Sequence, residues 1–158
     1  MDGLTKIDIK TILEQKAPKI AHKIPRWLIA YLERTVHQTE LNEILSRYQN
    51  HQGVDFMRSM VDYFDLRFEL SHEERIPNEG RFIFAANHPL GGLDGICLSA
   101  LIGSRFQDQI YYLVNDLLLN IPNLRSIFIP INKHGAQSRT NASLIEQAYA
   151  SDRQIITF

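Results

Sequence analysis

Cysteine is nearly absent. Cys97 is the sole thiol in 158 residues, so the chain can form no internal disulfide. Nothing in the chain resembles a secretory leader, with a basic start followed by an apolar stretch. Together these absences predict a reducing, cytoplasmic setting. Long hydrophobic runs are missing too. The longest uninterrupted apolar run in a candidate membrane segment, Trp27 to Leu32, is six residues, against the roughly 20 that a spanning helix requires. The chain is therefore not expected to cross a bilayer. Proline and glycine are too few for a collagenous or low-complexity segment, and no period of repeat length recurs. Neither sign of charge dominates, since the net charge is -1. Without a basic face interleaved with aromatics, there is no nucleic-acid signature.

What is present is the material of an ordinary globular protein: 44% of residues are hydrophobic and 22% charged, enough to build one core. The near-zero net charge conceals an asymmetry. Residues 1–37 hold seven Lys/Arg against four Asp/Glu, residues 38–80 hold four against nine, and residues 81–158 hold six against five. A basic N-terminal segment can be drawn to anionic lipid headgroups, although solvated helices carry similar charge.

From Asp8 to about Tyr63 apolar residues recur at steps of three and four: Ile9, Ile12 and Leu13, then Leu28, Tyr31 and Leu32, then Leu41, Ile44 and Leu45. This spacing predicts three or four short helices, punctuated by Pro18, Pro25 and Gly53. The character changes at Leu66, where Leu66, Phe68 and Leu70 alternate with Arg67 and Glu69 as in a half-buried strand. Further strands are expected at 81–86, 110–114, 127–131 and 154–158. Helices are expected over about 93–102 and 137–150. The reading is α/β: a helical segment over 1–65, then a sheet covered by helices over 66–158. Because the chain stops at Phe158 inside an expected strand, it is read as a truncated piece of a larger domain.

The segment Asn87-His88-Pro89-Leu90-Gly91-Gly92-Leu93-Asp94 carries the chemistry. His88 falls at the carboxyl end of an expected strand, where α/β sheets place their ligands. Asp94 lies in the first turn of the helix that follows. Two glycines between them let the backbone turn back and bring carboxylate to imidazole. An Asp accepting from one ring nitrogen fixes the tautomer and stabilises the imidazolium, leaving the other nitrogen to take a proton from a hydroxyl. Spacing alone leaves a second reading open, in which His88 caps a turn and Asp94 caps the helix. A metal site would need a third ligand at regular spacing near His88 and Asp94, and the sequence offers none. Cys97 is expected on an apolar helix face with Leu93, Ile96 and Leu101, as core and not as a nucleophile.

Asn87-His88-Pro89, a small loop and Asp94 together resemble the first motif of the glycerolipid acyltransferase superfamily. The whole stretch is most similar to its hemolysin-like bacterial branch, which includes O-acyltransferases of amino-acid-containing lipids. Residues 127–133 (IFIPINK) resemble the second motif, and Ile155-Ile156-Thr157-Phe158 resemble the lead-in to the third. The superfamily's commonest form has four residues between His and Asp; this chain has five, as that branch does. The second motif usually ends in Arg, whereas Asn132-Lys133-His134 stands here, and a lysine binds an anion as a point charge without the arginine fork.

The resemblance implies an O-acyltransferase in which His88, supported by Asp94, deprotonates a lipid hydroxyl that attacks an acyl thioester directly. The acceptor is expected to be a lysophospholipid or an N-acyl amino acid. Acyl-CoA or acyl carrier protein is the implied donor substrate, and no cofactor is implied. Asn87, Asn132 and Lys133 are the residues it assigns to substrate. On physical grounds the amides around Gly91 and Gly92 are candidate oxyanion donors, and Arg139, at the start of the helix after the second motif, is a candidate anion contact. Lys16, Lys19, Lys23 and Arg26, flanking Ala17, Ile20, Ile24, Trp27 and Leu28, are the mixture of a helix lying in a headgroup layer. The expected place is thus peripheral, on the cytoplasmic face of a membrane. The rival expectation is an inactive fragment, or a protein that binds a membrane or a partner without catalysis.

Overall fold

The computed structural model describes residues 6–16, 18–132 and 138–158. It divides into two compact units, one running up to Asn50 and the other from His51 to Phe158.

The first unit is helical: α1 (Ile9–Lys16), α2 (Pro18–Ala21), α3 (Arg26–Thr35) and α4 (Gln38–Arg47). The Asp8 carboxylate opens α1 by accepting from the Thr11 amide at 2.9 Å. Two amide side chains one turn apart on α4 hold the lead-in to α1. Asn42 accepts from Ile7 N–H at 2.6 Å and returns a bond to Ile7 O at 2.8 Å, while Gln38 accepts from Ile9 N–H at 2.7 Å. Pro18 and Pro25 punctuate the helices as their positions lead one to expect, with α2 beginning at Pro18. Residues 22–25 form turns, and Pro25, extended at φ -63 and ψ 146, starts α3 as a new helix.

In the second unit the order is α5 (Gly53–Tyr63), β1 (Ile83–Ala85), α6 (Gly92–Arg105), β2 (Ile110–Asn115), β3 (Phe128–Ile131), α7 (Arg139–Ala150) and β4 (Gln154–Thr157). All the strands described are parallel, in the spatial order β1-β4-β2-β3. Parallel strands buried on both faces read as continuous apolar runs, which is why IYYLV and QIIT were legible. Ile129, Ile155 and Ala148 of α7 form the core on one face, with Tyr111, Leu113, Leu144 and Ile145 packed around them. The register sets Phe84 and Tyr112 beside Ile156, and Phe128 beside Tyr112, so these side chains share the opposite face. Pro130 is accommodated because β3 is an edge strand and needs no amide on its outer side.

Buried Gln154 ties the lead-in of β1 to the sheet. Its side chain accepts from Phe82 N–H at 2.8 Å and donates to Gly80 O at 2.9 Å, so its burial leaves no amide function unpaired.

Two expectations are corrected. Residues 66–70 are not a strand: Phe68 and Leu70 are exposed, and among the described residues no strand runs beside them. Alternation suits a half-buried strand, but pairing makes one. The buried face of α6 is also not the one expected from Leu93, Ile96, Cys97 and Leu101. It carries Gly95, Ser99, Ala100, Ile102 and Gly103, while Leu93 is exposed. Close approach decides the face. A Cβ on Gly103 would collide with Val54 of α5, and one on Gly95 would stand 3.4 Å from the Tyr112 hydroxyl, so the small residues are the ones that fit inward.

Candidate active site

Because the strands are parallel, the segments that leave their carboxyl ends emerge at one edge of the sheet. His88 stands in the segment leaving β1, three residues beyond Ala85. The chain then turns at Gly91, whose φ of 64 and ψ of -127 strain any residue with a side chain, and enters α6 with Gly91 as its N-cap. No atom lies within 4 Å of a Cβ built on Gly91 or Gly92, so the loop faces open space.

The turn delivers Asp94 to His88. Asp94 Oδ2 is 3.7 Å from His88 Nδ1, within ion-pair range for a protonated imidazole and longer than a hydrogen bond. The same oxygen accepts from the Leu90 amide at 2.7 Å. Asp94 reaches back over the helix start much as the acid of a capping box does, and it faces the imidazole while doing so. His88 Nδ1 is turned to the carboxylate and its ring remains partly exposed. Phe158, just beyond β4, lies against that ring with centroids 4.0 Å apart and planes 19° from parallel.

Of the other residues singled out by sequence, Asn87 is exposed beside His88, and Asn132 is exposed just beyond β3. Asn132 shares the carboxyl edge with the dyad, but β1 and β3 bound the sheet on opposite sides. Arg139 is exposed in the first turn of α7, whose N-cap Ser138 accepts from Asn141 N–H at 3.0 Å. Lys133 lies outside the described residues.

A family model described as acyltransferase matches residues 11–158. The chain belongs to the acyltransferase family. Over 157 residues, 99% of the chain, it is 43% identical to the lyso-glycine lipid O-acyltransferase of Phocaeicola vulgatus and covers 56% of that protein. It is 40% identical over 157 residues to the protein of the same name from Bacteroides thetaiotaomicron, covering 58% of it. The chain thus spans little more than half the length of these relatives. No solved structure matches it.

Within this acyltransferase-family chain, the side chains behind the dyad are the ones that sequence reasoning missed. Tyr112 of β2 is 3% exposed, and its ring meets Phe158 nearly edge-on, with centroids 5.5 Å apart and planes at 60°. Burial pushes its phenol well above the ordinary range, an effect partly offset by the neighbouring Ser99 hydroxyl and reinforced by the Asp94 carboxylate. Ser99 stands close enough to contribute, yet neither hydroxyl has a protein hydrogen bond of good geometry. Burial, and then Asp94, also push the Cys97 thiol up, which disfavours the thiolate a nucleophile needs.

A Ser-His-Asp grouping elsewhere in the unit invites comparison with a catalytic triad and fails it. Ser59 Oγ is 2.7 Å and Asp55 Oδ2 2.9 Å from His51, but both face the same nitrogen, Nδ1. A proton relay needs them on opposite nitrogens. The grouping fastens His51 to the start of α5, where Asn123 also donates to the His51 carbonyl at 2.7 Å.

Proposed function

We propose that the protein transfers an acyl group from an acyl thioester, carried by coenzyme A or acyl carrier protein, to the hydroxyl of a lyso-glycine lipid. The observation that carries this reading is the pairing of Asp94 with His88 Nδ1 at 3.7 Å, at the carboxyl edge of a parallel sheet in a chain of this family. With Nδ1 turned to the carboxylate, Nε2 takes the acceptor's hydroxyl proton. The oxygen attacks the thioester carbonyl, the carbon–sulfur bond breaks, and the thiol leaves with the proton from His88. Open space around Gly91 and Gly92 suits their amides to the developing oxyanion. Asn87, Asn132, Lys133 and Arg139 are assigned to the polar parts of donor and acceptor.

Exposed apolar side chains support a lipid acceptor. Leu90, beside the dyad, is 69% exposed, and Leu117, after β2, is 51% exposed. In the helical unit Trp27 is 70% and Ile20 58% exposed, near Lys19, Lys23 and Arg26. This mixture supports docking to an anionic headgroup layer from the cytoplasmic side. Among the described residues no helix is long and apolar enough to cross a membrane.

The test is acyl transfer to a lyso-glycine lipid by the intact protein. His88→Ala is expected to lower kcat by roughly 10²- to 10⁴-fold, the usual contribution of a general base. Undiminished transfer by that variant would overturn the assignment.

A further inference from the structure

We propose that Phe158 is a positioning residue that sets the plane of the His88 imidazole, with Tyr112 as the buttress behind it. This rests on the reading of His88 as the general base. At 3.7 Å from Nδ1, Asp94 does not fix the ring by a hydrogen bond, and its Oδ2 is already engaged by the Leu90 amide at 2.7 Å. What lies flat on the imidazole is Phe158, with centroids 4.0 Å apart and planes 19° from parallel.

That face is itself braced. Phe158 meets Tyr112 at 5.5 Å and 60°, and Tyr112 meets Phe128 at 5.9 Å and 52°. The register explains the order. Tyr112 pairs with Ile156 on one side and Phe128 on the other, so Phe158, two residues past Ile156, emerges on the Tyr112 side of the sheet. A ladder of rings thus runs from the edge strand β3, through β2 and the end of β4, to the residue leaving β1. Gly95 completes the fit. A Cβ there would stand 3.4 Å from the Tyr112 hydroxyl and 3.8 Å from Phe158, ordinary contact distances, so α6 packs directly against the ladder as it carries Asp94. The stack permits the imidazole to slide and resists tilting, and tilting is the motion that would turn Nε2 away from a hydroxyl.

The experiment compares Phe158→Leu and Phe158→Tyr in the intact protein, by acyl-transfer kinetics and by NMR of the His88 ring protons. A ring stacked on Phe158 has its protons shifted upfield by the ring current. Phe158→Leu is expected to remove that shift and to lower kcat roughly 10- to 100-fold, with the acceptor KM changed less than about twofold. Phe158→Tyr is expected to retain both shift and kcat. Wild-type kcat in Phe158→Leu, equal losses in both variants, or no upfield shift in the wild-type protein would each overturn the proposal. If Phe158→Leu does not fold, the wild-type shift and Phe158→Tyr still decide. Activity that survives His88→Ala would defeat the catalytic reading instead, leaving the NMR shift to report on the stack alone.

Discussion

Asp94 Oδ2 accepts a 2.7 Å hydrogen bond from the Leu90 amide while standing 3.7 Å from His88 Nδ1. One carboxylate oxygen therefore closes the loop and faces the imidazole. Asp94→Asn separates the two tasks. The amide oxygen can still accept from Leu90, so thermal stability is expected to stay near that of the wild-type protein. The charge that stabilises an imidazolium is lost, so kcat should fall roughly 10²- to 10⁴-fold. Asp94→Ala should lose both, with an added cost of about 1 kcal/mol from the missing loop contact. Kinetics and melting of the two variants side by side check this; equal melting temperatures would show that the Leu90 bond contributes nothing.

The two glycines of the loop are not equivalent. Gly91 has φ 64 and ψ -127, whereas Gly92 is already helical, and neither is crowded. Gly91→Ala is thus expected to cost about 1–3 kcal/mol through backbone strain alone and to lower activity by moving Asp94 relative to His88. Gly92→Ala should be neutral to folding or stabilise it by up to about 1 kcal/mol, as helix propensity favours alanine. Chemical denaturation of both variants tests the contrast.

The parts of the fold that were legible are those whose local pattern and tertiary setting agree. The strands at 110–115, 128–131 and 154–157 read as apolar runs because most of their residues are buried, whereas Ile83 and Ala85 of β1 are exposed. The His88 and Asp94 pair was singled out because glycine, helix start and strand end lie within eight residues, but that spacing fits turn and helix caps equally, and the resemblance of the motif is what pointed to a dyad. Residues 66–70 misled because alternation says nothing about whether a partner strand exists. The face of α6 misled because close approach outweighs hydrophobicity at one point: Gly103 faces inward because Val54 leaves no room for a side chain there, while the apolar Leu93 stays exposed. Phe158 and Tyr112 fell in expected strands, but nothing in the sequence tied them to His88, since a stack between His88 and Phe158, 70 residues apart, is created only by strand order.

Cys97 sits three residues after Asp94, and burial, and then that carboxylate, push its thiol above the ordinary range. At neutral pH the thiolate fraction is smaller than for an exposed cysteine, so alkylation by iodoacetamide should be slower in the native protein than in the denatured one. Cys97→Ala should retain acyl transfer. A large loss of turnover in that variant, without a change in melting temperature, would reopen a nucleophilic role.

Tyr112 gives the fold an alkaline limit. Its phenol is raised above the ordinary value of 10.0, first by burial and then by Asp94, with Ser99 opposing. Near and above that value the unfolded chain releases the proton while the folded chain retains it. The unfolded state then binds fewer protons, and stability declines as pH rises. The contribution is complete below about pH 9 and is lost progressively above about pH 10. Tyr112→Phe keeps the ring that braces Phe158 and removes the ionising group along with a buried hydroxyl that lacks a well-formed protein hydrogen bond. It should therefore match or exceed the wild-type stability at neutral pH and decline less steeply in alkali. Urea unfolding of both proteins across that range measures the difference; parallel curves would show that Tyr112 ionises in the folded state as readily as in the unfolded one.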